Sequence, residues 1–258
     1  MQTAQTFLVL TLLSHTGATQ TALPAARQGH LLVLREVFLN GQGPFRMGID
    51  TGNQMSLLRP EAAIRLGLAP AYSVHQVTVT GTRRIPVILI PDVRVGSVID
   101  LQIEMMIGEV REEAIDGILG QSWLGRHDYL LDYRECRLVL DGIAPADGIK
   151  AAVRLRDDRP AVTVEVNRRH GEFVLDSGTA VAVLFEPPRG AANVAVSSNG
   201  GETFAERATA EIALAGARPR RLPAIRMDGC PDCPGLLPMN AFSRVYVSRR
   251  GSYAVLVP

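Results

Sequence analysis

Lysine is almost missing from this chain of 258 residues: Lys150 is the sole example beside 26 arginines. The cations are matched by 26 acids, leaving a formal net charge of +1. That balance excludes an overall field able to hold nucleic acid by its phosphates. Cysteine is scarce at three residues, too few for a disulfide scaffold. Aromatics make up only 5%, and no apolar run approaches the roughly 18 residues that a membrane-spanning helix requires. What the chain does have is 47% hydrophobic residues, 24 glycines and 16 prolines. This suits a turn-rich β protein with a sizeable core and excludes wholesale disorder.

Phe7-Leu8-Val9-Leu10-Thr11-Leu12-Leu13 has the length of a signal-peptide apolar region, with small residues following from Gly17 to Ala26, although no basic residue precedes it. Residues 1–26 are therefore expected to be a signal peptide and linker of an exported protein. The remainder reads as short strands. Leu31–Leu39 runs into Asn40-Gly41, a strong turn signal. Phe45 to Ile49 alternates apolar with polar or small residues. Val74 to Ile90 gives a hairpin pattern around Gly81-Thr82, and a short helix is expected at Pro60–Leu66 with Gly67 as its stop. The Gly/Pro/Asp stretch from Asp141 to Gly148 marks a change of domain. It divides the chain into a first lobe over 27–142, an interlobe segment over 143–160 and a second lobe over 161–258.

The second half repeats the first. Phe45 to Ile49 leads to Asp50-Thr51-Gly52, and Phe173-Val174-Leu175 leads to Asp176-Ser177-Gly178, 126 residues later. An apolar segment follows each triplet. Further along, Gly117-Ile118-Leu119-Gly120 has its counterpart in Gly235-Leu236-Leu237-Pro238. A two-unit repeat predicts two similar β lobes. Each strand carries a carboxylate to the edge of a sheet, where glycine permits a sharp turn and the hydroxyl can bond neighbouring backbone. If an approximate two-fold brings Asp50 and Asp176 face to face, they share one proton. One is then a base and the other an acid at mildly acidic pH, able to activate water against a carbonyl without metal or covalent intermediate.

These residues resemble the aspartic proteases, in which an Asp-[Thr/Ser]-Gly loop is backed by a hydrophobic-hydrophobic-Gly segment. The first half is similar to a retropepsin-type unit, and the whole, from about Leu31 onward, to a shortened pepsin in plan. The resemblance implies an all-β fold of two β-barrel-like lobes with a cleft between them. It makes Asp50 and Asp176 the catalytic pair. Thr51, Gly52, Ser177, Gly178 and Thr179 become loop-bracing or substrate-binding residues, and the Val77 to Arg84 hairpin, with Gly81 and Thr82, a flap over substrate. It implies an endopeptidase acting on an extended polypeptide, monomeric, with no cofactor or metal and no nucleic-acid or membrane partner. The alternative is the same fold kept as a peptide-binding or regulatory protein without turnover. The chain departs from the family pattern at Asn53, where alanine or serine is usual, and at Pro238, which replaces a glycine. No tyrosine falls at the flap tip, since Tyr72 precedes the hairpin.

Other motifs carry less. Cys230-Pro231-Asp232-Cys233 is followed by Pro234-Gly235, which disfavours a thioredoxin-like helix, and has no second ligand pair for zinc; a local disulfide or two loop thiols is the simpler expectation. Cys136 lies in a strand-like run and is expected to be buried. Gly120-Gln121-Ser122-Trp123-Leu124-Gly125 has one residue too many for a nucleophile elbow, and Trp123 reads as core. Gly41-Gln42-Gly43 lacks the third glycine of a dinucleotide site. The five histidines are scattered and expected on surfaces or loops, as is the cluster Arg218-Pro219-Arg220-Arg221.

Overall fold

Pairs of residues with left-handed backbone cut the chain into strands. Asn40 and Gly41 (φ 48° and 68°) form one such turn, and Asn167 and Arg168 (φ 49° and 69°) form its counterpart in the second half. Positive φ at both positions matches the twist of an antiparallel pair. The computed structural model describes residues 20–78, 81–191, 194–198, 201–229 and 233–258. The apolar run Phe7–Leu13, Val79 and Thr80 of the expected flap, and Cys230 lie outside the described residues.

The first half contributes β1 (Thr21–Pro24), β2 (Ala26–Gln28), β3 (Leu31–Leu39), β4 (Gln42–Ile49) and β5 (Ser56–Leu58), then helix α1 (Pro60–Leu66). It continues with β6 (Tyr72–Thr78), β7 (Gly81–Val95), β8 (Val98–Ile107) and β9 (Gly117–Leu119). Helix α2 (Gln121–Leu124), β10 (Tyr129–Asp132) and β11 (Arg137–Leu140) complete it. The second half begins with β12 (Ile149–Arg156), β13 (Arg159–Val166), β14 (Arg169–Asp176) and β15 (Ala182–Phe185). There follow β16 (Val194–Ser198), β17 (Gly201–Leu214), β18 (Arg220–Met227) and β19 (Gly235–Pro238), and finally β20 (Arg244–Ser248) and β21 (Tyr253–Val257).

The expected two-lobed all-β architecture is present, and the repeat is visible strand for strand. In the first lobe the order β3-β4-β9-β5-β8-β7 is closed by pairing of β3 with β7. In the second, β13-β14-β19-β15-β18-β17 is closed by β13 with β17. Both place two parallel pairs at equivalent points, β4–β9 and β5–β8 against β14–β19 and β15–β18. A hairpin projects from each barrel, β6–β7 from the first and β16–β17 from the second. The helix forms where expected: Pro60 opens it, Ala62, Ala63 and Leu66 face the core, and Gly67 at φ 66° ends it.

The lobes meet in a sheet of order β1-β11-β10-β20-β21-β12. The expected boundaries shift accordingly. Thr21–Pro24 pairs with β11 through Leu23, which is buried, so the fold begins inside the segment expected to be leader and linker. Within the 143–160 interlobe segment, residues 149–156 are β12, paired on both sides. Cys136 is not in a strand: it sits half-buried at φ 48° in the turn joining β10 to β11. Asp132 nucleates that turn by accepting the Glu135 N–H at 2.9 Å. Trp123 is fully buried in the apolar core, which runs through both lobes.

His127 lies in the loop between α2 and β10, as expected of a loop residue, but is buried there. It is 8% exposed, and its Nδ1 and Nε2 lie 2.9 Å from Asp141 and 2.8 Å from Asp100. Two carboxylate partners require two N–H donors, hence an imidazolium. Burial opposes its charge, yet the hydrogen bonds to Asp100 and Asp141 prevail and raise its pKa above the ordinary 6.5. A raised value gives stability that is complete below about pH 6.5 and is lost as pH climbs through the folded-state value. His127→Leu should therefore lower the unfolding free energy by about 2 kcal/mol at pH 6. Denaturant titrations at several pH values should find that gap narrowing on the alkaline side.

Candidate active site

Residues Phe45, Met47 and Ile49 of β4 are completely buried, as Phe173 and Leu175 of β14 are nearly so. The parallel partners register as Ile49 with Leu119 and Leu175 with Leu237. This apolar anchoring brings both chains to the lobe junction just as they turn, and delivers Thr51 and Ser177 there 0% and 1% exposed.

The two hydroxyl residues cross. Thr51 Oγ1 donates to the Leu175 carbonyl at 2.7 Å, and Ser177 Oγ to the Ile49 carbonyl at 2.8 Å. In return the Ser177 amide donates to Thr51 Oγ1 and the Thr51 amide to Ser177 Oγ, each at 3.0 Å. Four buried bonds between lobes, related by a two-fold, lock one loop against the other. Gly52 and Gly178 then pass so close to the opposite acid that a methyl on either would overlap the facing carboxyl, that of Asp176 and of Asp50 respectively. Glycine is required here by that approach.

Asp50 and Asp176 consequently face each other at the lobe junction, each carboxyl against the glycine of the opposite loop. Each also accepts an N–H from its own loop, Gly52 to Asp50 at 2.9 Å and Gly178 to Asp176 at 2.7 Å. Burial lifts Asp50 well above its ordinary pKa, and the charge of Asp176 and of Glu112 lifts it further, against only the Gly52 N–H. Asp176 is also raised by burial, but the Gly178 N–H, Asp50, Arg159 and His30 all pull it back. Burial thus raises both carboxyls, and as a coupled pair they hold one proton between them.

Several supporting residues had no signal in the motif itself. Gln121 Nε2 donates to the Thr51 carbonyl at 2.8 Å, bracing the first loop from α2. Its place directly after Ile118-Leu119-Gly120 was the available clue. Ser56 Oγ accepts the Gly120 N–H at 3.1 Å. The second lobe solves the same position differently: Pro238 has no N–H, and Ala182, at the place of Ser56, has no hydroxyl to receive one. The proline at 238 is thus a matched change. Asn53 serves through its backbone, its carbonyl accepting the Gln121 amide at 2.9 Å.

The remaining expected site residues make local contacts. Thr179 Oγ1 donates to the Val181 carbonyl at 2.9 Å, a local turn. Gly81 and Thr82 open β7, paired with Thr78 and Val77 on the projecting hairpin. Tyr72 starts β6 opposite Val87, away from the hairpin turn; its hydrogen bond to Glu104 pushes the phenol up to about 12.

Among solved structures, the aspartic proteinase from Irpex lacteus is similar over 93% of this chain and 97% of that one, at 10% identity and a TM-score of 0.60. The fold is that of the aspartic proteases. Residues 35–126 match the family described as "gag-polyprotein putative aspartyl protease". The retropepsin-like aspartic protease from Rickettsia conorii is matched at 22% identity, over 47% of this chain and 89% of that one, with a TM-score of 0.39. No curated protein matches the chain in sequence. The resemblance to retropepsin-like and pepsin-like aspartic proteases holds, with the pepsin-like plan spanning both lobes.

Because the crossed hydroxyls satisfy buried backbone groups, Thr51→Val and Ser177→Ala should each destabilise the aspartic-protease fold by about 2–3 kcal/mol. Thr179→Ala, which removes only a local bond, should cost less than about 1 kcal/mol. Urea unfolding of the three variants at one pH distinguishes them.

Proposed function

We propose that the chain is an aspartic endopeptidase, exported and acting as a monomer on extended polypeptides. The observation that carries this reading is the pair of carboxyls held face to face by the crossed loops. A water between them loses a proton to the ionised Asp176 as its oxygen attacks the scissile carbonyl carbon. Asp50 gives its proton to the carbonyl oxygen, producing a neutral gem-diol. Collapse returns a hydroxyl proton to Asp50, and the departing nitrogen takes the proton from Asp176 as the C–N bond breaks. The dyad ends as it began, with one proton. An extended substrate would lie along the lobe junction and pair its backbone with the projecting hairpin as an added strand.

The reading predicts that Asp50→Asn and Asp176→Asn each lower peptide hydrolysis by on the order of a thousandfold or more. Wild-type turnover should be greatest on the acid side of neutrality and fall as Asp50 loses its proton. Turnover undiminished in either variant would refute the assignment. A hydroxyl-bearing peptide mimic that stabilises the protein, with no cleavage of any peptide by the wild type, would favour a binding protein of the same fold.

The same proton affects stability. A carboxyl raised in the folded state contributes stability that is complete below its ordinary pKa of 3.8 and lost as pH rises through the folded value. Asp50→Asn should therefore raise the thermal midpoint at pH 7, with the difference vanishing near pH 3.5. Export adds a constraint of its own. Since Thr21–Pro24 pairs with β11, the amino terminus of processed protein, read by Edman degradation, should lie at or before Thr21.

A further inference from the structure

The two catalytic loops are not braced alike. The first is held within its own lobe, by Gln121 on the Thr51 carbonyl. On the second, the carbonyl of Gly178 is met from the other lobe: His30 Nε2 lies 2.9 Å away. His30 follows Gly29 (φ 62°) in the turn between β2 and β3, and is half-buried at the lobe junction. A carbonyl can only accept, so Nε2 carries the hydrogen and donates. Gly178 is the residue whose α-carbon packs against the Asp50 carboxyl and whose amide donates to Asp176. One bond from His30 thus acts on both acids through a single residue.

We propose that His30 is a positioning residue of the second catalytic loop, fixing Gly178 against the Asp50 carboxyl. This rests on the peptidase reading above. The surrounding charges fall on two sides. The charges of Arg159 and His30 act to lower Asp176, whereas those of Asp176 and Glu112 act to raise Asp50. Tyr133 is buried within electrostatic reach of both acids and of Arg27. His30 therefore has two separable actions: the donated bond, which either the neutral Nε2–H tautomer or the imidazolium supplies, and the positive charge, which only the imidazolium supplies.

Two substitutions separate them. His30→Leu removes bond and charge; His30→Gln keeps an N–H donor of similar reach and removes the charge. In His30→Leu, kcat should fall by on the order of tenfold with KM within about twofold. Its acid limb, where Asp176 takes up a proton, should move upward by roughly half a pH unit or more. His30→Gln should recover kcat to within about threefold of wild type while keeping the shifted acid limb. Should His30→Leu fail to fold, His30→Gln carries the test through its acid limb.

A His30→Leu enzyme with wild-type kcat and acid limb, alongside an inactive Asp176→Asn control, would overturn the role of His30 and leave the peptidase intact. Absence of turnover in the wild type would instead defeat the peptidase reading. Carbon-13 NMR titration of the Asp176 carboxyl then decides the matter for His30: a curve displaced upward in His30→Leu supports the inference, and an unchanged curve overturns it.

Discussion

Four hydrogen bonds between Thr51 and Ser177 and the facing loops hold the two halves of this molecule in register. Every one has a hydroxyl as a partner, every one crosses between lobes, and both hydroxyl residues are sealed from water. Burying polar groups in this way is favourable only when each is satisfied, so the arrangement tolerates little displacement. The carboxyls inherit that precision. Asp50 and Asp176 are neighbours because the residue after each is bonded to the opposite strand, and the proton they share follows from this enforced proximity.

The two-fold is good where it serves the acids and broken where each lobe has been fitted separately. Ser56 with Gly120 in one lobe and Ala182 with Pro238 in the other are alternative ways of leaving no orphaned N–H behind a loop. Gln121 and His30 are unlike supports for like loops. Electrostatics follow the broken symmetry: cations lie near Asp176, and an additional anion lies near Asp50. A duplicated frame with unequal surroundings suits chemistry in which two identical side chains must do different things.

Much of this was legible in the amino-acid order. The Asp-Thr-Gly and Asp-Ser-Gly triplets, the apolar segments behind them, the Asn40-Gly41 turn and the helix at Pro60–Leu66 all depend on neighbours within a few residues, and pattern reports such contacts well. The errors share a different cause. Cys136 lies between two strand-forming runs in sequence, but the chain reverses there because Asp132 accepts the Glu135 amide. His30 and His127 looked dispersed because their partners stand 148 and up to 27 residues away. Leu23 looked like leader because its burial depends on Leu138, far along the chain. Polar residues that bind across long separations leave no periodic trace.

The interlobe sheet takes β1 from one end of the described chain and β20 and β21 from the other, interleaved with β10, β11 and β12. During synthesis, β10 must wait for more than a hundred further residues before its partner β20 exists. Docking of the halves is therefore a late event governed by distant pairing, which is intrinsically slow. A nascent chain stopped short of Arg244 would hold both acids but lack the strand that ties their lobes together.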